Sequence, residues 1–238
     1  MNPAMYIMAI SMDIKTNWFY YVGRWLTTLC LHLLTRCEIK GKENIPRQGP
    51  FLVVANHIGA ADPPLIAVCI DRKLRFMAKE ELFHSPIIAY FVKGFGAFPV
   101  RRSHVDRQAL KEAERTLNAG WGLVMFPEGK RSRTGGLTRA FPGSALIAIR
   151  NGVSILPVGI TGTEVIDRGA TWVFRRPRIT LNIGKPFTLT GRGQIDKMLL
   201  SELADEVMLH IAELLPPDYR GYYADKVSRK TAGAVSNK

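Results

Sequence analysis

Two hydrophobic rhythms alternate along this chain of 238 residues. Residues 51–55 (FLVVA) and 122–126 (GLVMF) are uninterrupted apolar runs of strand length, the pattern of strands covered on both faces. Residues 74–78, 97–100, 154–160 and 178–183 read as further strands, and 37–41 as an edge strand ahead of a turn at 46–50. Between them the spacing becomes helical. A helix over 63–69 opens on Pro63-Pro64, and another covers 86–92. Residues 105–119 hold good helix formers and stop at Gly120, and 142–150 stop at Asn151-Gly152. A last long helix over 195–215 places Leu199, Leu203, Val207, Ile211 and Leu214 at i, i+4, i+8 spacing. Strand and helix in alternation predict a single α/β domain around a largely parallel, mixed sheet flanked by helices. In that architecture chemistry collects in loops at the carboxyl ends of the strands.

The two ends differ from this middle. Residues 18–35 (WFYYVGRWLTTLCLHLLT) are apolar, but shorter than the roughly 20 residues a membrane span needs, and they include Arg24 and His32. No small-residue cleavage site follows, as a signal peptide would require. Trp18, Val22, Trp25, Leu29 and Leu33 form one stripe at helical spacing, with aromatics gathered at its start as in a headgroup-level belt. The expectation is an amphipathic helix lying in the membrane interface; a core helix and a tilted or re-entrant span are the competing readings. Residues after Pro216-Pro217 are basic and rich in small side chains, which predicts a mobile tail. The expected division is 1–36 for the membrane-interface helical segment, 37–215 for the α/β domain and 216–238 for the tail.

Composition narrows the partners. Lys and Arg total 33 against 20 Asp and Glu, a net charge of +13, which calls for an anionic partner: nucleic acid, a phospholipid surface or a phosphorylated substrate. With 47% apolar residues the chain is not disordered. Cys30, Cys37 and Cys69 are odd in number and lack a Cys-x-x-Cys pair, which argues against a disulfide framework and for a reducing, cytosolic-side setting. The histidines (His32, His57, His84, His104, His210) are scattered, which argues against a structural zinc site, and no metal is expected.

Candidate chemistry lies in three loops. The first, Asn56-His57-Ile58-Gly59-Ala60-Ala61-Asp62, directly follows FLVVA. A carboxylate that holds one imidazole nitrogen protonated leaves the other as a base. Five residues of straight helix would separate the two by about 140°, so they meet only if the segment turns, and Gly59 makes a turn easy. Asp62 before Pro63 also suits a helix N-cap. Ser144 is no acyl nucleophile by its surroundings, since Pro142-Gly143-Ser144-Ala145 lacks the second glycine of a nucleophile elbow. The second loop, Phe126-Pro127-Glu128-Gly129-Lys130-Arg131-Ser132-Arg133-Thr134-Gly135, combines glycines, hydroxyls and cations suited to a phosphate, though a solvated basic turn has the same composition. It is not a Walker loop, because the G-x-x-x-x-G-K-[ST] spacing is absent. The third loop brings Arg101 and Arg102 to the end of a strand.

In this order, Asn-His-x-x-x-x-Asp, G-A-F-P-V-R-R, F-P-E-G-x-R-S and I-L-P-V resemble the four blocks of the glycerophospholipid acyltransferases, closest to the bacterial 1-acylglycerol-3-phosphate acyltransferases. The resemblance covers residues 39–183. It implies His57 as general base and Asp62 as its charge partner, with Asn56 beside them. Arg102, or Arg101, would match the second block's cation. Glu128, Gly129, Lys130, Arg131 and Ser132 would fall in the headgroup-binding block, and Pro157 would match the proline of the fourth. It also implies an acyl-CoA or acyl carrier protein thioester as co-substrate with no cofactor, and a lysophospholipid acceptor. The location implied is peripheral or monotopic, on the cytoplasmic face of a phospholipid membrane, with no nucleic acid as partner.

Overall fold

The computed structural model describes residues 18–101, 106–169, 171–190 and 196–236. Seven strands form one sheet: β1 (Arg36–Lys40), β2 (Phe51–Ala55), β3 (Leu74–Lys79), β4 (Ala97–Val100), β5 (Gly122–Met125), β6 (Ser154–Thr161) and β7 (Arg178–Ile183), in the order β1-β7-β6-β2-β5-β3-β4. Among the described residues eight α-helices accompany it: α1 (Trp18–Leu34), α2 (Asp62–Cys69), α3 (Pro86–Gly94), α4 (Arg107–Asn118), α5 (Gly143–Asn151), α6 (Trp172–Arg175), α7 (Lys197–Glu213) and α8 (Ala224–Ser236). The expected single α/β domain with a largely parallel, mixed sheet is the fold observed, and each expected strand and helix of residues 37–215 is present with ends shifted by a residue or two.

The continuous apolar run of β2 has a direct cause. β2 is flanked by β5 on one side and β6 on the other, and all five of its residues are buried. Side chains alternate across the pleat, so Phe51, Val53 and Ala55 enter one core with Leu65 and Ile66 of α2 and Ala89 of α3. Leu52 and Val54 enter the opposite core with Ala113 and Leu117 of α4, Ile147 of α5, and Val207 and Ile211 of α7. Each of the Phe, Leu and Val side chains of β2 contributes about 1.5–3 kcal/mol on burial, so the strand that leads into the first loop is held from both faces.

Strand direction decides what lies near that loop. Every neighbouring pair is parallel except β6 and β7. The carboxyl ends of β2, β3, β4, β5 and β6 therefore share one end of the sheet with the amino ends of β1 and β7.

α1 turns its stripe outward: Val22, Trp25, Leu29 and Leu33 are exposed, as are Tyr21 and Leu26. Its inner side rests on Leu31, packed in the first core, and on Arg24, which reaches the carbonyl of Ile70 and the carboxylate of Asp71. Among the described residues no helix is long and apolar enough to cross a membrane. Packing continues beyond residue 215, where the mobile tail was expected. Tyr223 is fully buried, donates to Asp205 Oδ1 at 2.7 Å and accepts from the Ala140 N–H, and Val227 of α8 joins the second core. The basic composition of the segment hides its aromatic anchor. Two short elements after β6 had no periodic signature: a 3-10 helix over Thr163–Arg168 and the single turn of α6.

Candidate active site

Beyond Ala55 the chain leaves the sheet, turns, and starts α2 at Asp62. The turn brings His57 and Asp62 together, with Nδ1 and Oδ2 2.7 Å apart. Asp62 does not cap its own helix. Its Oδ2 reaches back to accept the N–H groups of Ile58 at 2.7 Å and Gly59 at 2.8 Å, while Oδ1 accepts the hydroxyl of Thr163 at 2.5 Å. The N-cap expectation is thus corrected: the carboxylate organises the loop before the helix. Gly59 also works differently from the expectation. It adopts no positive φ; instead, a Cβ there would lie 2.7 Å from the Thr163 carbonyl oxygen, so glycine permits the 3-10 helix to close on the loop.

Asp62 is fully buried, surrounded by donors, and therefore suited to hold a negative charge. Facing an ionised carboxylate, Nδ1 of the neutral ring carries the hydrogen, which leaves Nε2 as the acceptor. The ring stacks on Phe126 at 4.2 Å between centroids, and its side chain stays 17% exposed, so one fixed imidazole remains accessible.

Three further predicted residues brace this pair. The Asn56 amide donates to the Ile160 carbonyl at 2.8 Å and accepts the Ile160 N–H at 2.7 Å, extending the β2–β6 ladder by one rung through a side chain. Glu128 is buried, accepting the His57 N–H with Oε1 and the Thr138 N–H and hydroxyl with Oε2. Burial pushes its carboxyl above the usual range, opposed by those hydrogen bonds. Ser132 is buried, its N–H donating to the His57 carbonyl at 2.7 Å and its hydroxyl to Gly136 at 2.6 Å. These contacts fix the positions of the two loops.

The cations lie outside the braces. Lys130 is exposed, and Arg131 is 52% exposed with Nη1 on Asp167 Oδ2 at 2.5 Å. Gly129 turns the chain ahead of them with φ 69°. Arg101 sits at the end of β4, three strands from β2 and about 14 Å along the sheet, with Nε on Glu80 at 3.0 Å. Arg102 lies outside the described residues. Ser144 is buried inside α5, as the missing elbow glycine suggests.

Two residues escaped the sequence reading, and both belong to the 3-10 helix after β6. Thr163 holds Asp62. Asp167 holds Arg131 and also accepts the Ala60 N–H at 3.1 Å. Their only signal was a polar stretch between Gly162 and Gly169. Among the described residues no cluster of side chains is arranged to hold a metal ion.

The comparisons agree with this fold. A solved structure of the 1-acyl-sn-glycerophosphate (LPA) acyltransferase from Thermotoga maritima superposes with a TM-score of 0.62 at 28% identity, covering 86% of this chain and 84% of that one. The 1-acyl-sn-glycerol-3-phosphate acyltransferase of Borreliella burgdorferi is 30% identical over 73% of this chain and 67% of its own length. A chloroplastic 1-acyl-sn-glycerol-3-phosphate acyltransferase of Arabidopsis thaliana is 25% identical over 72% of this chain and 49% of its own, so the chain spans about half the length of that relative. The Acyltransferase family model matches residues 36–161, more than half of the chain, from β1 through the His57 loop and the Arg131 loop to the end of β6. This chain belongs to the acyltransferase family.

Proposed function

We propose that the protein transfers a fatty acyl group from an acyl thioester to the free hydroxyl of 1-acylglycerol-3-phosphate, giving phosphatidic acid. The observation that carries this reading is a partly exposed His57 held at 2.7 Å by a fully buried Asp62, with Arg131 tied through Asp167 to the same loop.

The lipid hydroxyl is a weak nucleophile at neutral pH. His57 Nε2 takes its proton as the oxygen attacks the thioester carbonyl. The tetrahedral intermediate then collapses, the carbon–sulfur bond breaks, and the imidazolium returns the proton to the departing sulfur. Asp62 stabilises the imidazolium and fixes its ring; base catalysis of this kind contributes about 10²–10⁴-fold. Arg131 and Lys130 bind the acceptor phosphate, which sets the distance from hydroxyl to base and supplies rate through positioning. The thioester comes from coenzyme A or acyl carrier protein, and no cofactor or metal is invoked. The outward apolar face of α1 supports a peripheral or monotopic position on the cytoplasmic face of the membrane, where the acceptor resides.

The test is an acceptor panel with labelled acyl-CoA, read by lipid mass. Phosphatidic acid should form with 1-acylglycerol-3-phosphate as acceptor. Free fatty acid regardless of acceptor would make the protein a thioesterase, and equal use of lysolipids without a terminal phosphate would remove the headgroup role of Arg131.

A further inference from the structure

Arg36 and Arg178, the first residues of β1 and β7, stand directly opposite one another at the end of the sheet that carries His57. Like charges in facing positions destabilise a sheet. Arg175 and Arg176 lie just ahead of Arg178, separated from it by Pro177. All four arginines are exposed, and among the described residues none is ion-paired with a carboxylate.

The backbone here carries a second cost. Arg176 adopts φ 43°, the left-handed region that side chains other than glycine seldom occupy. Its guanidinium donates to the carbonyl of His32 at 3.1 Å, which fastens α6 to the last turn of α1. At the tip of α6, Phe174 is 91% exposed, the most exposed of the large apolar side chains described. Leu29 and Leu33, also exposed, lie on that last stretch of α1.

Water screens the facing arginines only in part and leaves the Phe174 ring exposed. An anionic lipid surface relieves the repulsion and the exposed aromatic together: phosphates screen the arginines, and the ring leaves water among acyl chains. A surface that offered acidic groups alone would satisfy the arginines but leave the exposed Phe174 ring in water.

We propose that Trp172–Arg175, with Arg176, Arg36 and Arg178, forms a docking element for anionic phospholipid, in which Phe174 inserts below the headgroups and the guanidiniums bind lipid phosphates. The proposal rests on the membrane reading of α1 and extends it. The end of the sheet bearing His57 is turned toward the surface that delivers the lysolipid, so the acceptor need not leave the bilayer to meet the base.

The test uses the full chain with vesicles of phosphatidylcholine and phosphatidylglycerol, and with phosphatidylcholine alone. The double variant R175Q/R178Q should bind the mixed vesicles about fivefold more weakly for each guanidinium removed, with a shallower salt dependence. Phe174→Ser should weaken binding to both vesicle types. Arg36→Gln should weaken vesicle binding while raising the melting temperature in the absence of lipid, because it removes the facing charge; a purely structural arginine would not give that opposite pair of effects. All three should turn over a short-chain, water-soluble lysophosphatidate at the wild-type rate. Unchanged vesicle affinity in R175Q/R178Q and Phe174→Ser would overturn the proposal. So would lost affinity for an acidic carrier protein with vesicle binding intact. Failure of the catalytic reading shows separately, as wild-type protein that forms no phosphatidate from the soluble acceptor.

Discussion

Replacing Thr163 with valine removes one O–H from Asp62 and almost nothing else. Thr163 is fully buried, and valine matches its shape, so the change deletes the 2.5 Å hydrogen bond to Asp62 Oδ1 with packing preserved. Oδ2 keeps its contacts with His57 Nδ1 and the N–H groups of Ile58 and Gly59. Oδ1 is left buried without its donor. Hydrogen bonds to charged groups are worth about 1.5–3 kcal/mol, and full burial of Asp62 places this one near the top of that range. Stability should fall by about 2–3 kcal/mol. If half of the bond's worth acts on the barrier, through a carboxylate less firmly set to hold the imidazolium, turnover falls about tenfold. Acceptor KM should not change, because Thr163 does not touch Arg131, and Thr163→Ser should restore both stability and rate. Urea unfolding and steady-state kinetics on one preparation decide the matter. A valine variant that loses the expected stability yet keeps kcat within about twofold would show that Thr163 braces the fold and not the base.

Three further predictions follow from other contacts. Asp167→Asn frees Arg131 from a competing carboxylate at a half-exposed site, where such pairs are worth about 1 kcal/mol or less; acceptor KM should fall by up to about fivefold with kcat little changed, and a raised KM would mean that Asp167 orients Arg131 for the phosphate. Glu128 has its folded-state carboxyl raised by burial, so the native state holds its proton to higher pH than the unfolded chain, and this group's contribution to stability declines as pH rises from the ordinary carboxylate range through the raised value. Wild type should therefore lose stability relative to Glu128→Gln across that window in chemical unfolding at a series of pH values; a flat difference would contradict the assignment. Gly59→Ala should cost about 1–3 kcal/mol and lower turnover, because its Cβ meets the Thr163 carbonyl oxygen at 2.7 Å and displaces the element that holds Asp62; thermal melting and kcat together test this.

The parts legible in the sequence were those with a strong period or a specific constellation. β2 was readable because a strand between two others must be apolar on every residue, and α4 because Gly120 ends it. The His57–Asp62 pair was readable from the four ordered blocks that resemble the acyltransferases; the loop alone left a helix N-cap equally open, and its geometry depends on a turn that spacing does not fix. Asn56, Glu128 and Ser132 stood in the right blocks, but the part their side chains take in bracing backbone groups of the two loops could not be read there. That part depends on burial, which residue type does not reveal. Thr163 and Asp167 were invisible because six residues of 3-10 helix have no period and their partners lie 101 and 36 residues away in sequence. The last segment was misread because basic and small residues draw attention from the tyrosines that anchor it, Tyr219 on Glu164 and Tyr223 on Asp205.

The most direct measurement is the turnover of His57→Ala with labelled acyl-CoA and 1-acylglycerol-3-phosphate, alongside its melting temperature. The account predicts a loss of about 10²–10⁴-fold or more in a protein that melts like wild type and still binds the phosphorylated acceptor. A folded variant that keeps more than about a tenth of wild-type turnover would show that another group removes the proton.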